Sequence, residues 1–385
     1  MPNIPRPLKI GFVFDDSLDS SDGVAQYVKT LGGWLSGRGH EVRYLVGETK
    51  AGEWAGGQIY SLSRNQPVTF NGNRLSTPRP ASRRRIKQVL SDEQFDVLHV
   101  QVPYSPLLGG RVINTASRQM AIIGTFHILP AKRWISFGAR SMAVLQWRSL
   151  HRFAQLLAVT PAAAKFARSS LGLPSEVMPN VVDLRRLRST KIANQADKIV
   201  FLGRLVERKG ARQLLAAFAE LHRHRPTAQL VIAGDGPERP ALERWVVQHG
   251  LADSVEFLGF IDESAKPGLL ASAAIACFPS LYGESFGIVL IEAMAAGAGV
   301  VLGGDNPGYR SVLGPRQQLL VDPRDSRAFA DRLELLLSDQ TLAKRLHAWQ
   351  TDYVKQFDVA VVGPKIEAIY AAAVALKGKT GHNSP

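Results

Sequence analysis

The chain has 385 residues, 45% of them hydrophobic and 21% charged, with 47 Lys and Arg against 33 Asp and Glu for a formal charge of +14. Its length exceeds what one hydrophobic core usually supports, and its composition excludes a disordered or fibrous chain. The single cysteine, Cys277, excludes an intramolecular disulfide and fits a reducing compartment, where it reads as core filler.

The N-terminus runs into an apolar strand, Lys9 to Phe14, too soon for a signal peptide, and no apolar stretch is expected to span a membrane. A helix over Gly23 to Ser36 and a strand over Glu41 to Val46 follow, with Leu31, Trp34 and Leu35 at helical spacing. The Gly-, Asn-, Ser- and Pro-rich stretch from Ala55 to Pro80 reads as hairpins or loops. Ser82 to Leu90 reads as a basic helix, Phe95 to Val100 and Ala121 to Phe126 as strands, and Ala139 to Phe153 as a helix. Leu156 to Thr160 is then a strand and Pro161 to Leu171 a helix. Pro179, in Met178 to Asp183, marks a boundary.

The alternation then restarts. Strands are expected at Ile199 to Leu202, Gln229 to Ala233, Val255 to Leu258, Ala273 to Phe278, Val300 to Leu302 and Leu319 to Val321. The helices are Ala211 to Arg223, Glu238 to His249, 264–272, Ile288 to Ala296, Ser326 to Leu337, Gln340 to Phe357 and Pro364 to Leu376, with a disordered tail after Lys377. Two βαβ series predict two Rossmann-like domains with a cleft between them: 1–180, 181–360, and a terminal helix with tail over 361–385. Charge divides at the same boundary. Residues 1–180 hold 22 Lys and Arg against 11 Asp and Glu, a net +11, and the remainder only +3. That asymmetry points to an anionic partner for the first half.

The most informative stretch runs from Ser280 to Gly297, where a buried strand is followed by a loop and then a helix. Glu284 falls on the loop and Glu292 about one and a half turns inside the helix. Helix N-termini at the carboxyl ends of parallel strands offer N–H groups to anions, so Gly287 and Ile288 suit a diphosphate. The two carboxylates suit the hydroxyls of a sugar and a ribose on either side. The loop Gly203 to Gly210 brings Arg204 and Lys209 to a strand-to-helix turn, where cations stabilise a leaving diphosphate. Glu207 and Arg208 read as surface charges. Gly234 to Glu238 reads as a tight turn, and Phe260 and Ile261 stand where backbone contacts to a nucleotide base would fall.

In the first half, Gly23 lets the backbone approach a phosphate or an acceptor, but its surroundings are not the dinucleotide fingerprint GxGxxG. His127 ends a buried strand, where a histidine serves either a sugar hydroxyl or a structural carbonyl. Arg83, Arg84, Arg85 and Lys87 crowd the rim of a helix whose Ile86, Val89 and Leu90 share a face, a pattern suited to an anionic bilayer. Lys132-Arg133-Trp134 and Trp147 add basic and aromatic groups suited to an interface. No nucleic-acid recognition module is visible.

The chain resembles retaining glycosyltransferases of family 4 with the GT-B fold, and among them the phosphatidylinositol mannosyltransferases. The resemblance rests on Gly283 to Gly297 with its Glu-x7-Glu spacing, Phe201 to Arg204 with Arg208-Lys209-Gly210, Phe95 to His99, Gly124 to His127, Asn71-Gly72 and Pro179-Asn180. It implies that Arg204 and Lys209 bind the donor diphosphate, Glu292 the ribose and Glu284 the transferred sugar, with His127 contacting that sugar. It also implies membrane attachment through Arg83, Arg84, Arg85 and Lys87, and an acceptor pocket with Asn71 and Lys132. Three departures bear on the acceptor: Asp22 before Gly23, the run His99-Val-Gln101-Val102-Pro103, and Ile-Leu-Pro after His127.

The expected enzyme moves a hexose, mannose from GDP-mannose, to a lipid-linked acceptor at the inner face of the cell membrane, from the cytoplasm, with no metal or other cofactor. Competing readings are a UDP-sugar transferase building glycolipid, capsule or another envelope glycan, and a non-catalytic sugar- or lipid-binding protein on the same fold. Intact Arg204, Lys209, Glu284 and Glu292 argue against the latter, and the missing glycine fingerprint argues against a nicotinamide oxidoreductase.

Overall fold

The computed structural model describes residues 6–19, 22–70, 73–103, 105–127, 147–188 and 192–381. The chain divides into two compact units, one made of Met1–Val181 with Val359–Pro385 and the other of Val182–Asp358.

The first unit carries strands β1 (Lys9–Phe14), β2 (Glu41–Val46), β3 (Glu53–Trp54), β4 (Gly57–Ser61), β5 (Asn65–Phe70), β6 (Asn73–Pro78), β7 (Val97–Gln101), β8 (Ala121–Phe126), β9 (Gln155–Ala158) and β10 (Glu176–Val177). One sheet runs β10-β9-β8-β7-β1-β2-β4-β3, parallel except for the β3–β4 pair, and β5 and β6 form a separate antiparallel hairpin. The expected hairpins of the polar stretch thus form, and β4 also extends the main sheet. Ile10, Phe12 and Phe14 join one core layer with Val42 and Tyr44, while Val13, Leu45, Leu98 and Val100 join the other. Burial on both faces explains why β1 reads as an apolar run from Ile10 to Phe14.

Helix Leu108–Thr115 is not among the expected elements, and two expected helices differ in extent. Residues 139–146 lie outside the described part, and the helix that follows, Trp147–Leu150, stops short of Phe153. The last helix is Val359–Gly381, longer than expected, and it belongs to the first unit rather than to a separate tail. Val362, Ile366, Tyr370 and Ala373, at helical spacing, join the layer of Ile10 and Phe12. His40 Nδ1 accepts from Leu8 N–H at 3.0 Å, so its Nε2 donates to Glu367 of this helix at 2.8 Å. By length and composition Val359–Gly378 could cross a membrane, which the sequence reading did not expect. Its buried face and its buried, hydrogen-bonded Glu367 make it a core helix.

The second unit carries β11 (Gln195–Leu202), β12 (Gln229–Ala233), β13 (Val255–Gly259), β14 (Ala273–Phe278), β15 (Val300–Gly304) and β16 (Leu320–Val321), all parallel, in the order β13-β12-β11-β14-β15-β16. The register sets Ile199 beside Ile275 and Val200 beside Ala276. Connections from β11 run to one side through β12 and to the other from β14, so the order reverses between β11 and β14. In the first unit it reverses between β1 and β7. Ligands of open α/β sheets bind beyond the carboxyl ends of the strands at such a reversal.

Candidate functional site

The reversal in the second unit is built from the loops after β11 and β14. Backbone contact locks them together: Leu281 N–H donates to Arg208 O at 2.8 Å. Gly210 has φ +76°, and a β-carbon there would lie 2.1 Å from Pro279 O, so only glycine fits. Gly287, at φ +94°, ends the second loop against the ring of Tyr309. Helix Ile288–Ala296 then begins without a capping side chain.

These loops bring Glu284 onto two cations. Arg208 Nη1 and Lys209 Nζ both donate to Glu284 Oε1 at 2.8 Å. Arg208 is buried, so the expectation of a surface charge is corrected. The short 3₁₀ turn Glu207–Lys209 points Glu207 outward and Arg208 inward, a division that charge counting cannot see. Burial alone would raise the Glu284 pKa, but the charges of Lys209 and Arg208 outweigh it and hold the carboxyl below its usual range. Burial pushes the Lys209 ammonium down, and Arg208 and Arg204 add to that against the pull of Glu284. Arg204 is exposed on the same loop. Two cations therefore converge on one carboxylate, with the charge of Arg204 acting on Lys209 from the same loop.

Helix Ile288–Ala296 is buried from Leu290 to Ala296, so a carboxylate on it needs a partner. Glu292 finds Lys266 Nζ at 3.3 Å, and Lys266 also meets Glu263 at 2.9 Å. Burial raises the Glu292 pKa, with Lys266 opposing. Glu284 and Glu292 thus rest on different cations. Lys266 went unnoticed in the sequence, because a lone lysine beside a proline carries no pattern. Beyond β13, Phe260 is 70% exposed and Ile261 half-buried, so Phe260 is not a core residue.

At the reversal in the first unit, Gly23 opens helix Gly23–Gly37. Asp22 caps it, accepting from Val24 N–H at 2.8 Å and Ala25 N–H at 3.0 Å. Those amides are taken by a carboxylate, which argues against phosphate binding at Gly23. Asp15, just past β1, is bonded by Ser105 Oγ and by Gly109 N–H, and burial pushes it up to about 6 against those bonds. His127 is buried, with Nε2 2.6 Å from Gln101 Oε1 and its ring edge-on to Tyr27 at 5.0 Å.

Arg83, Arg84, Arg85 and Lys87 are exposed on helix Arg83–Glu93, while Ile86, Val89 and Leu90 are buried in the core. The apolar face expected to enter a bilayer is therefore occupied, and only the cations are available to one. Asn71, Lys132, Arg133 and Trp134 lie outside the described residues, as does the side chain of Trp147. Among the described residues no three His, Cys, Asp or Glu side chains converge as a metal-ligand set.

Residues 21–186 match the family model described as Glycosyltransferase Family 4, and residues 185–350 the one described as Glycosyl transferases group 1. A phosphatidyl-myo-inositol mannosyltransferase of Mycobacterium tuberculosis is 34% identical over 381 residues, covering 94% of this chain and 96% of that protein. Its counterpart in Mycobacterium leprae is 32% identical over 374 residues, with the same coverage. Among solved structures, Anabaena HepE in complex with UDP-glucose superposes with a TM-score of 0.75 at 18% identity, covering 95% of this chain and 100% of that one.

Proposed function

The chain belongs to glycosyltransferase family 4 and is a glycosyltransferase of GT-B fold, and from that premise we propose that it moves mannose from GDP-mannose to phosphatidylinositol or a related lipid-linked acceptor, with retention of configuration. The observation that carries this reading is the triad in which Glu284 holds Arg208 and Lys209 at the carboxyl ends of β11 and β14.

In this reading the diphosphate meets Arg204, Lys209 and Arg208 and the amides of Gly287 and Ile288. Negative charge grows on the leaving phosphate as the sugar–phosphate bond breaks, and fixed cations then stabilise the transition state more than the ground state. The leaving phosphate accepts the acceptor hydroxyl's proton, so no side-chain base is required. In this reading these cations neutralise the diphosphate, and transfer needs no divalent ion. Glu284 receives hydroxyls of the transferred sugar, Glu292 those of the ribose, and Phe260 and Ile261 flank the base.

Full-length relatives with a phosphatidylinositol acceptor support the choice of lipid and of mannose. The exposed cations of Arg83–Glu93 support attachment to the anionic inner face of the cell membrane from the cytoplasm. The test is nucleotide release from a panel of nucleotide sugars, with and without membrane extract. Release from GDP-mannose that rises with extract is expected. Preference for a UDP-sugar would replace the donor assignment with the UDP-dependent reading.

A further inference from the structure

Polar side chains line one face of β7 and β8 where apolar residues otherwise run. Alternate residues of a strand share a face, so His99 and Gln101 project together from β7, and Thr125 and His127 from the end of β8. The register sets Gln101 beside Thr125. All four are buried, Gln101 completely, and buried polar groups persist only when their bonds are made.

Gln101 Nε2 donates to the main-chain oxygen of His99 at 3.3 Å. A carbonyl oxygen only accepts, which fixes the amide and turns Oε1 toward His127. Oε1 also only accepts, so His127 Nε2, 2.6 Å away, must carry a proton. We propose that Gln101 is a positioning residue for glycosyl transfer: it locks His127 as the Nε2–H tautomer and leaves Nδ1 as a standing acceptor for a substrate hydroxyl. The proposal rests on the reading of His127 as a sugar contact.

The surroundings support the lock. His99 bonds Tyr370 Oη through Nδ1 and Thr125 Oγ1 through Nε2, both at 2.6 Å, so the neighbouring ring is held as well. Burial pushes His127 down to about 3, which keeps the ring neutral near pH 7. Val102, the next residue, has φ +58°, a conformation a β-branched side chain adopts only under constraint. Its N–H donates to Thr125 O at 3.2 Å and its carbonyl accepts from Ser105 N–H at 3.0 Å, which supplies that constraint. A ring nitrogen without a proton accepts from a sugar hydroxyl and repels a phosphate oxygen. The device selects a polyol over an anion at this point.

The experiment pairs nitrogen-15 NMR of the histidine rings with kinetics on the full chain and on Gln101→Leu, Gln101→Glu and His127→Ala. Wild-type His127 should show one Nε2–H tautomer from pH 6 to 8. Gln101→Leu should show mixed tautomers, with kcat lower by about 10- to 100-fold, since misplacing a contacting group costs on that order, and with donor KM changed far less. Gln101→Glu keeps an acceptor oxygen and should recover the tautomer and most of the lost turnover. A wild-type ring protonated at Nδ1 overturns the lock whether or not the variants fold, and full turnover by Gln101→Leu overturns its role in transfer. Full turnover by His127→Ala would remove the sugar-contact reading, and with it the role in transfer, while an Nε2–H signal would still uphold the hold of Gln101 on the ring.

Discussion

Replacing Glu284 with Gln should separate sugar transfer from diphosphate binding. Glu284 Oε1 sits 2.8 Å from both Arg208 Nη1 and Lys209 Nζ, and the three side chains are 9–18% exposed. The triad carries a net charge of +1; Glu284→Gln makes it +2 and Lys209→Ala makes it zero. A unit charge about 6 Å from a phosphate interacts by roughly 3 kcal/mol at an effective dielectric constant of about 20. Water remaining in the site reduces this to about 1–3 kcal/mol, or about 5- to 150-fold in Kd. GDP should therefore bind Glu284→Gln more tightly than wild type and Lys209→Ala more weakly. Sugar transfer should fall in both, in the first because the sugar loses its carboxylate acceptor. Isothermal titration calorimetry with GDP, beside turnover on GDP-mannose, measures both quantities. If Glu284→Gln weakens GDP as much as Lys209→Ala does, the triad does not face the diphosphate and the assignment is wrong.

Alanine at Arg204 or Lys209 should lower turnover by on the order of 10²–10³ while circular dichroism stays native; unchanged turnover in both folded variants would remove them from the phosphate site. Transfer should persist in chelator, and rescue of an abolished activity by Mg²⁺ or Mn²⁺ would contradict the cationic site. Replacing Arg83, Arg84, Arg85 and Lys87 with Ser should abolish salt-sensitive sedimentation on anionic vesicles, removing at most roughly 4 kcal/mol of attraction. Ile86→Ala should instead lower stability by about 2–5 kcal/mol, because Ile86 is core; equal sedimentation of the quadruple variant would leave its charges as a solvated face. Burial depresses His99 and His127 to about 3. Below pH 6.5 the unfolded chain therefore binds protons that the folded chain refuses, and stability falls as pH drops from there toward 3, by roughly 2 kcal/mol per ring at pH 5. Urea denaturation across that range checks the slope, and a flat profile would show that the rings are not buried neutral.

The alternation of strands and helices was legible because parallel strands covered on both faces keep apolar runs, as Ile10 to Phe14 and Ala273–Phe278 do. Helix Leu108–Thr115 was not, since Gly109 and Gly110 lower its propensity and only burial of Leu108, Val112 and Ile113 makes it form. The strand-to-helix loops holding Arg204, Lys209 and Glu284 announced themselves by glycines and charges at chain turns. Arg208 did not, because its inward direction is set by the 3₁₀ turn and by Leu281, more than seventy residues away in sequence. The same limit applies to the helix of Arg83: an apolar stripe fits a bilayer and a protein core equally well, and only the tertiary fold decides. The last helix read as a separate tail because its partners, Trp34, His40 and Tyr27's neighbour His99, all stand in the first third of the chain.

The proposed activity is tested most directly by transfer of labelled mannose from GDP-mannose to phosphatidylinositol in anionic vesicles by the purified full chain, with the anomeric configuration of the product read by NMR. A mannosylated phosphatidylinositol with the α configuration of the donor, formed in chelator and lost in Lys209→Ala, is expected. No labelled lipid from GDP-mannose, or a β-linked product, would contradict it.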